Sequence, residues 1–152
     1  SLPEGGTVLE TACGAGQGLV TLSKHAPHAR ISALDLSPRM VEISQALLSG
    51  VSSIVEIKEG DNEHLPFPDA SFSRYISNLS LHIVADTDAM LREARRVLVS
   101  SEDANNPSIA VFSVWGRKEN SPFFTLMPKV VSSLGISSPD ATRSSFHLGG
   151  DL

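Results

Sequence analysis

The sequence has one cysteine, no basic stripe and no long apolar run. The lone Cys13 excludes an internal disulfide and agrees with a reducing compartment, so a cytoplasmic location is expected. Its 12 lysines and arginines are scattered, apart from Arg95-Arg96 and Arg117-Lys118, and 17 acids bring the net charge to -5. A phosphate backbone needs positive charge concentrated on one face, so no nucleic-acid partner is expected. The longest apolar runs are far too short to cross a bilayer, and no charged start leads into an apolar block, so neither a membrane partner nor a signal peptide is expected. His25, His28, His64 and His147 lack metal-ligand spacing, and no metal is expected. There is no internal repeat or low-complexity tract.

What is present is 152 residues, 41% of them hydrophobic, which is one domain's worth of chain with material for a core. Val8 to Glu10 reads as a short buried strand and Gln17 to Ala26 as a helix ending at Pro27. Arg30 to Leu36 reads as a second strand. Ser37 is a candidate N-cap for a helix with Pro38 at its first position; Met40, Val41, Ile43, Leu47 and Leu48 keep the helical period, and Gly50 stops it. Ser53 to Lys58 alternates as a strand does. Gly60 to Ala70 is a loop with two prolines, Phe72 to Leu79 a fourth strand, Asp86 to Leu98 a helix and Ile109 to Trp115 a fifth strand. The segment NSPFFTLMPKVVSSLG reads as helical with a break near Pro128. Strands alternating with helices imply an α/β, doubly wound, mostly parallel sheet with right-handed crossovers.

The stretch TVLETACGAGQGLVTL, Thr7 to Leu22, carries the chemistry. Gly14, Gly16 and Gly18 follow the first strand, where ligands of such sheets bind. Glycines let a ligand approach the backbone, and the next helix offers free N–H groups and a positive dipole end. The dinucleotide fingerprint G-x-G-x-x-G is incomplete, because Leu19 stands at its third glycine. Glu10 at the mouth would repel a pyrophosphate and favours a ligand with a cationic end. Asp35, nineteen residues after Gly16, suits ribose hydroxyls.

VLETACGAG resembles the first motif of the class I S-adenosylmethionine-dependent methyltransferases, with Glu10, Gly14 and Gly16 matching and Ala12 in place of the first glycine. DLSPRM resembles the second, which implies Asp35 on the ribose, Leu36 against the adenine and Met40 beside them. GDNEHLPFPDASFS resembles the adenine loop, which implies Asp61 accepting from the adenine amino group and Asn62 offering its backbone N–H. YISNLSLHIVAD resembles the fourth motif, which puts Asn78 near the methyl-donor end and makes His82 the candidate general base. His82 equally suits local packing. The resemblance spans about Thr7 to Trp115 and implies a Rossmann-like sheet of order 3-2-1-4-5 that lacks the usual last two strands. It implies one S-adenosylmethionine-binding domain over 1-152, truncated at both ends, with its core in 7-115 and substrate-side or lid helices in 116-152. The implied cofactor is S-adenosylmethionine, with S-adenosylhomocysteine as product, and the implied partner is a small-molecule methyl acceptor.

Two other functions compete with this one. A nicotinamide-dependent oxidoreductase of the short-chain type needs Tyr-x-x-x-Lys, and Leu79 stands four residues after the only tyrosine, Tyr75. A non-catalytic relative would keep the fold as a binding or regulatory partner, its bare sheet edge covered by a partner or a dimer mate.

Overall fold

The computed structural model describes residues 5–100, 106–117 and 122–136. Five strands, β1 (Thr7–Thr11), β2 (Arg30–Asp35), β3 (Ile54–Glu59), β4 (Arg74–Asn78) and β5 (Ile109–Ser113), alternate with helices α1 (Gln17–His25), α2 (Pro38–Leu47), α3 (Thr87–Val97) and α4 (Pro122–Ser133). The strands pair in parallel throughout, in the order β3-β2-β1-β4-β5. That is the expected order. The chain leaves β1 towards β2 on one side and reaches β4 on the other, so a crevice opens at the carboxyl ends of β1 and β4.

The helices begin where local chemistry allows. Ser37 Oγ accepts from the Met40 N–H at 3.4 Å, with Pro38 at the first position of α2. Asp86 caps α3 by accepting from the Ala89 N–H at 2.9 Å, and Arg95 and Arg96 sit against its negative end. Helix α1 has no side-chain cap and starts from Gly16 at φ 85. Its first-turn N–H groups are left for something else to satisfy.

Side-chain alternation along the strands makes two cores. Val8, Ile31, Ala33 and Ile57 face α1 and α2, meeting Leu19 and Val41. Leu9, Leu34, Phe72 and Tyr75 face the other way, against Met90 and Val97 of α3. The segment between β3 and β4 has no helix, as expected. Arg96 holds it down, donating to the carbonyls of Leu65 at 3.1 Å and Phe67 at 2.9 Å. Glu93 accepts from the Leu65 N–H at 2.7 Å, and the Phe67 ring meets Phe72 edge-on at 5.0 Å.

Some boundaries differ from expectation. β4 ends at Asn78 because Leu79 turns to φ +54, outside the strand region. β5 ends at Ser113 rather than Trp115. α4 runs unbroken across Pro128; a proline removes one backbone bond and raises the cost of a helix without always ending it. Residues 101–105 of the polar loop and FHLGGDL lie outside the described residues, as do 137–145. Among the described residues the sheet has five strands, and no helix is long and apolar enough to cross a membrane.

Candidate functional site

At the carboxyl edge of β1 the chain makes three backbone turns in quick succession. Ala12, Gly14 and Gly16 all have positive φ, at 52, 54 and 85. The loop is pinned by Asp35 from the end of β2. One of its carboxylate oxygens accepts from the Gly14 N–H at 2.8 Å and the other from the Ser37 N–H at 2.9 Å. Asp35 thus ties the glycine loop to the start of α2. A Cβ on Gly16 would stand 2.9 Å from Ser44 Cβ, so this glycine is what lets α1 and α2 close together.

Glu10 shares the α1 side of β1 with Val8. Only 6% of it is exposed, and no described residue hydrogen-bonds its carboxylate. It lies under the first turn of α1, where a Cβ on Gly18 would overlap Glu10 Oε1. Burial without a partner raises its pKa to about 7. Cys13 beside it is pushed up to about 11, by burial first and then by the charges of Asp35 and Glu10. Both effects favour its thiol form.

Two cavities meet at Ala12. The larger, about 680 Å³, is bounded by Glu10, Gly14, Gln17, Asn78 and Ser113 among others. The smaller, about 470 Å³, is bounded by Asp35, Leu36, Asp61, Asn62 and Ile83 among others. Leu36 is 69% exposed and Ile83 63% exposed at this second cavity, an uncommon display of large apolar side chains beside carboxylates. Asp61 accepts from the Glu63 N–H at 2.9 Å with one oxygen. Asn62 turns its side chain inward, 8% exposed, and its Nδ2 donates to Ser80 Oγ at 3.4 Å. Glu63 accepts from the N–H groups of Ala85 at 2.6 Å and Asp86 at 3.1 Å, which fastens the 61–64 loop to the approach to α3.

The structure therefore brings Glu10, Ala12, Gly14, Asp35, Leu36, Asp61, Asn62 and Asn78 to the two cavities. Gly16 stands behind them as a packing hinge. Met40 lies on the outer side of α2, 36% exposed and outside both linings. His82 is buried, 8% exposed, with its ring edge towards Trp115 at 6.4 Å, and it borders neither cavity. The sequence pattern did not reveal Ser113 or Glu63. Only strand register and loop contact bring them to the site. Among the described residues no group of histidine, cysteine or acid side chains could hold a metal ion.

A glycine loop pinned by a strand-end acid at the reversal of a parallel sheet defines a doubly wound α/β protein, with its crevice where ligands of such sheets bind. The model of the methyltransferase domain family matches residues 8–101, and the chain belongs to that family. It is similar to the demethylmenaquinone methyltransferase of Lactobacillus johnsonii, 27% identical over 144 residues, covering 90% of this chain and 57% of that protein. It is similar to the chloroplastic 2-methyl-6-phytyl-1,4-hydroquinone methyltransferase 1 of Oryza sativa, 39% identical over 89 residues, covering 56% of this chain and 26% of that protein. The chain thus spans only about half, or less, of the length of these curated relatives. Among solved structures, YcgJ of Bacillus shares the fold with a TM-score of 0.66 at 22% identity, over 89% of this chain and 53% of that one.

Proposed function

We propose that this domain binds S-adenosylmethionine and takes part in methyl transfer to a small-molecule acceptor. The observation that carries the reading is the pair of cavities joined at Ala12. One has apolar platforms and carboxylates suited to a nucleoside; the other has an unpartnered buried carboxylate suited to a cation. A ligand with an adenosine at one end and a cationic amino acid at the other satisfies both. Asp35 and Asp61 would accept from ribose hydroxyls and the adenine amino group, with Leu36 and Ile83 against the ring and the Asn62 backbone N–H beside it. Glu10 would receive positive charge, and the uncapped N–H groups of α1 would receive the carboxylate.

When bound, S-adenosylmethionine supplies an electrophilic methyl group. The chain's own part is to bind, orient and exclude water. His82 packs against Trp115 and is not itself in the lining of either cavity, although Ser80 and Ile83 beside it line the smaller one, so this reading asks no proton transfer of it. The rice and Lactobacillus relatives carry hydroquinone and demethylmenaquinone in their names; a ring of that class is the first acceptor to try, with the longer protein.

Calorimetric titration with S-adenosylmethionine, S-adenosylhomocysteine and NAD tests the reading. Both sulfur ligands are expected to bind and NAD is not. Leu36→Glu is the informative variant, because Leu36 is exposed and its loss spares the core. It should weaken both ligands about tenfold or more while the unfolding midpoint holds. Silence from the folded wild-type chain towards both sulfur ligands would favour a non-catalytic relative.

A further inference from the structure

Asn78 ends β4 and Ser113 ends β5, and the parallel register sets them side by side. The Leu79 N–H donates to Ser113 Oγ at 3.0 Å and to the Ser113 carbonyl at 3.0 Å. The Ser113 hydroxyl, having accepted that N–H, directs its own hydrogen to Asn78 Oδ1. Leu79 sits at φ +54, a conformation that costs a branched residue energy, and these bonds hold it there. The chain therefore turns away from the sheet immediately after Asn78.

This arrangement decides what Asn78 offers. Its oxygen is engaged by Ser113, and its Nδ2 hydrogens meet no acceptor among the described residues. Asn78 and Ser113 both border the larger cavity, which no lysine or arginine lines. Glu10 stands on the wall of the same cavity. A ligand carrying both a cation and an oxygen would find them recognised by different groups, the cation at Glu10 and the oxygen at Asn78.

We propose that Ser113 is a positioning residue that turns the Asn78 amide so that its N–H groups face the cavity, where they receive an oxygen of the bound ligand. Only the identity of the ligand rests on the methyl-transfer reading; the orientation of the amide does not. The oxygen has two possible sources, the carboxylate of the cofactor's amino-acid end or a phenol-type oxygen of the methyl acceptor.

The first measurement is ¹⁵N relaxation of the Asn78 side-chain amide in the ligand-free protein. It should be rigid in wild type, mobile in Ser113→Ala and rigid again in Ser113→Thr, which keeps the hydroxyl. Equal mobility in wild type and Ser113→Ala would overturn the proposal. The second is titration of wild type, Ser113→Ala, Ser113→Thr and Asn78→Asp with S-adenosylhomocysteine, 5′-methylthioadenosine and, with the homocysteine ligand present, 4-nitrophenolate. A loss of about tenfold for S-adenosylhomocysteine alone in Ser113→Ala and Asn78→Asp assigns the oxygen to the cofactor's carboxylate. A similar loss for nitrophenolate alone assigns it to the acceptor. Unchanged binding of both, or an equal loss that extends to 5′-methylthioadenosine, would refute a directed amide. Failure of the wild type to bind S-adenosylhomocysteine would sink the methyl-transfer reading, and the amide mobility would still decide the role of Ser113.

Discussion

Glu10 lies beneath α1 on the wall of the larger cavity, only 6% exposed and with no hydrogen-bond partner among the described residues. Its pKa rises from 4.5 to about 7, so the folded protein holds that proton more tightly than the unfolded chain. The resulting stability is fully present below pH 4.5 and is lost as pH rises through 7. At pH 8 the folded state carries a buried charge that costs about 3 kcal/mol. Glu10→Gln removes the charge and keeps the shape. Urea unfolding at pH 5 and pH 8 should show the wild type losing up to about 3 kcal/mol relative to the variant across that interval. A constant difference would mean that water reaches the carboxylate. A bound cationic ligand should offset the loss, so S-adenosylmethionine is expected to stabilise the protein more at pH 8 than at pH 5. Ala12 is a second residue under local cost, at φ 52 where alanine is strained. Ala12→Gly should raise stability by about 1 kcal/mol in the same assay, because glycine adopts that conformation freely.

At the level of elements, the glycine loop serves two purposes that substitution can separate. Gly14 and Gly16 both have positive φ. A Cβ on Gly14 meets nothing within 4 Å, whereas one on Gly16 stands 2.9 Å from Ser44 Cβ and 3.3 Å from Leu48 Cδ1. Gly14→Ala should therefore cost only the backbone strain, about 1 kcal/mol. Gly16→Ala should add overpacking of about 1–3 kcal/mol by forcing α2 off α1. Equal unfolding midpoints for the two variants would contradict this packing.

Across the whole molecule, the sheet is unevenly covered. β1 lies between β2 and β4 with Val8 and Leu9 fully buried on opposite faces. On β5, Ile109 is 41% and Val111 54% exposed. Hydrogen exchange should find the β1 amides protected up to the global unfolding free energy and those of β5 well below it. Matching protection in the two strands would show that the outer strand is as firmly held as the inner one.

Much of this was legible without coordinates. The cap of α2, the strand-helix alternation and the glycine loop depend on local propensity and hydrophobic period, which are written residue by residue. Asp35 could be named from its spacing after the glycines, and Asp61 only from the resemblance of GDNEHLPF to the family's adenine loop. The inward turn of Asn62, the packing of His82 against Trp115 and the end of β4 at Asn78 could not. Each depends on which neighbours the chain brings from elsewhere.

The sequence by itself determined the alternation of strands with helices and the glycine-rich turn at the end of the first strand, because local propensity and hydrophobic period arise between near neighbours in the chain. Only the tertiary structure decided that Glu10 lies alone beneath α1 and that Ser113 grips Asn78 across 35 residues of chain. Strand register and helix cover set those relations, and they exist only once the sheet has assembled.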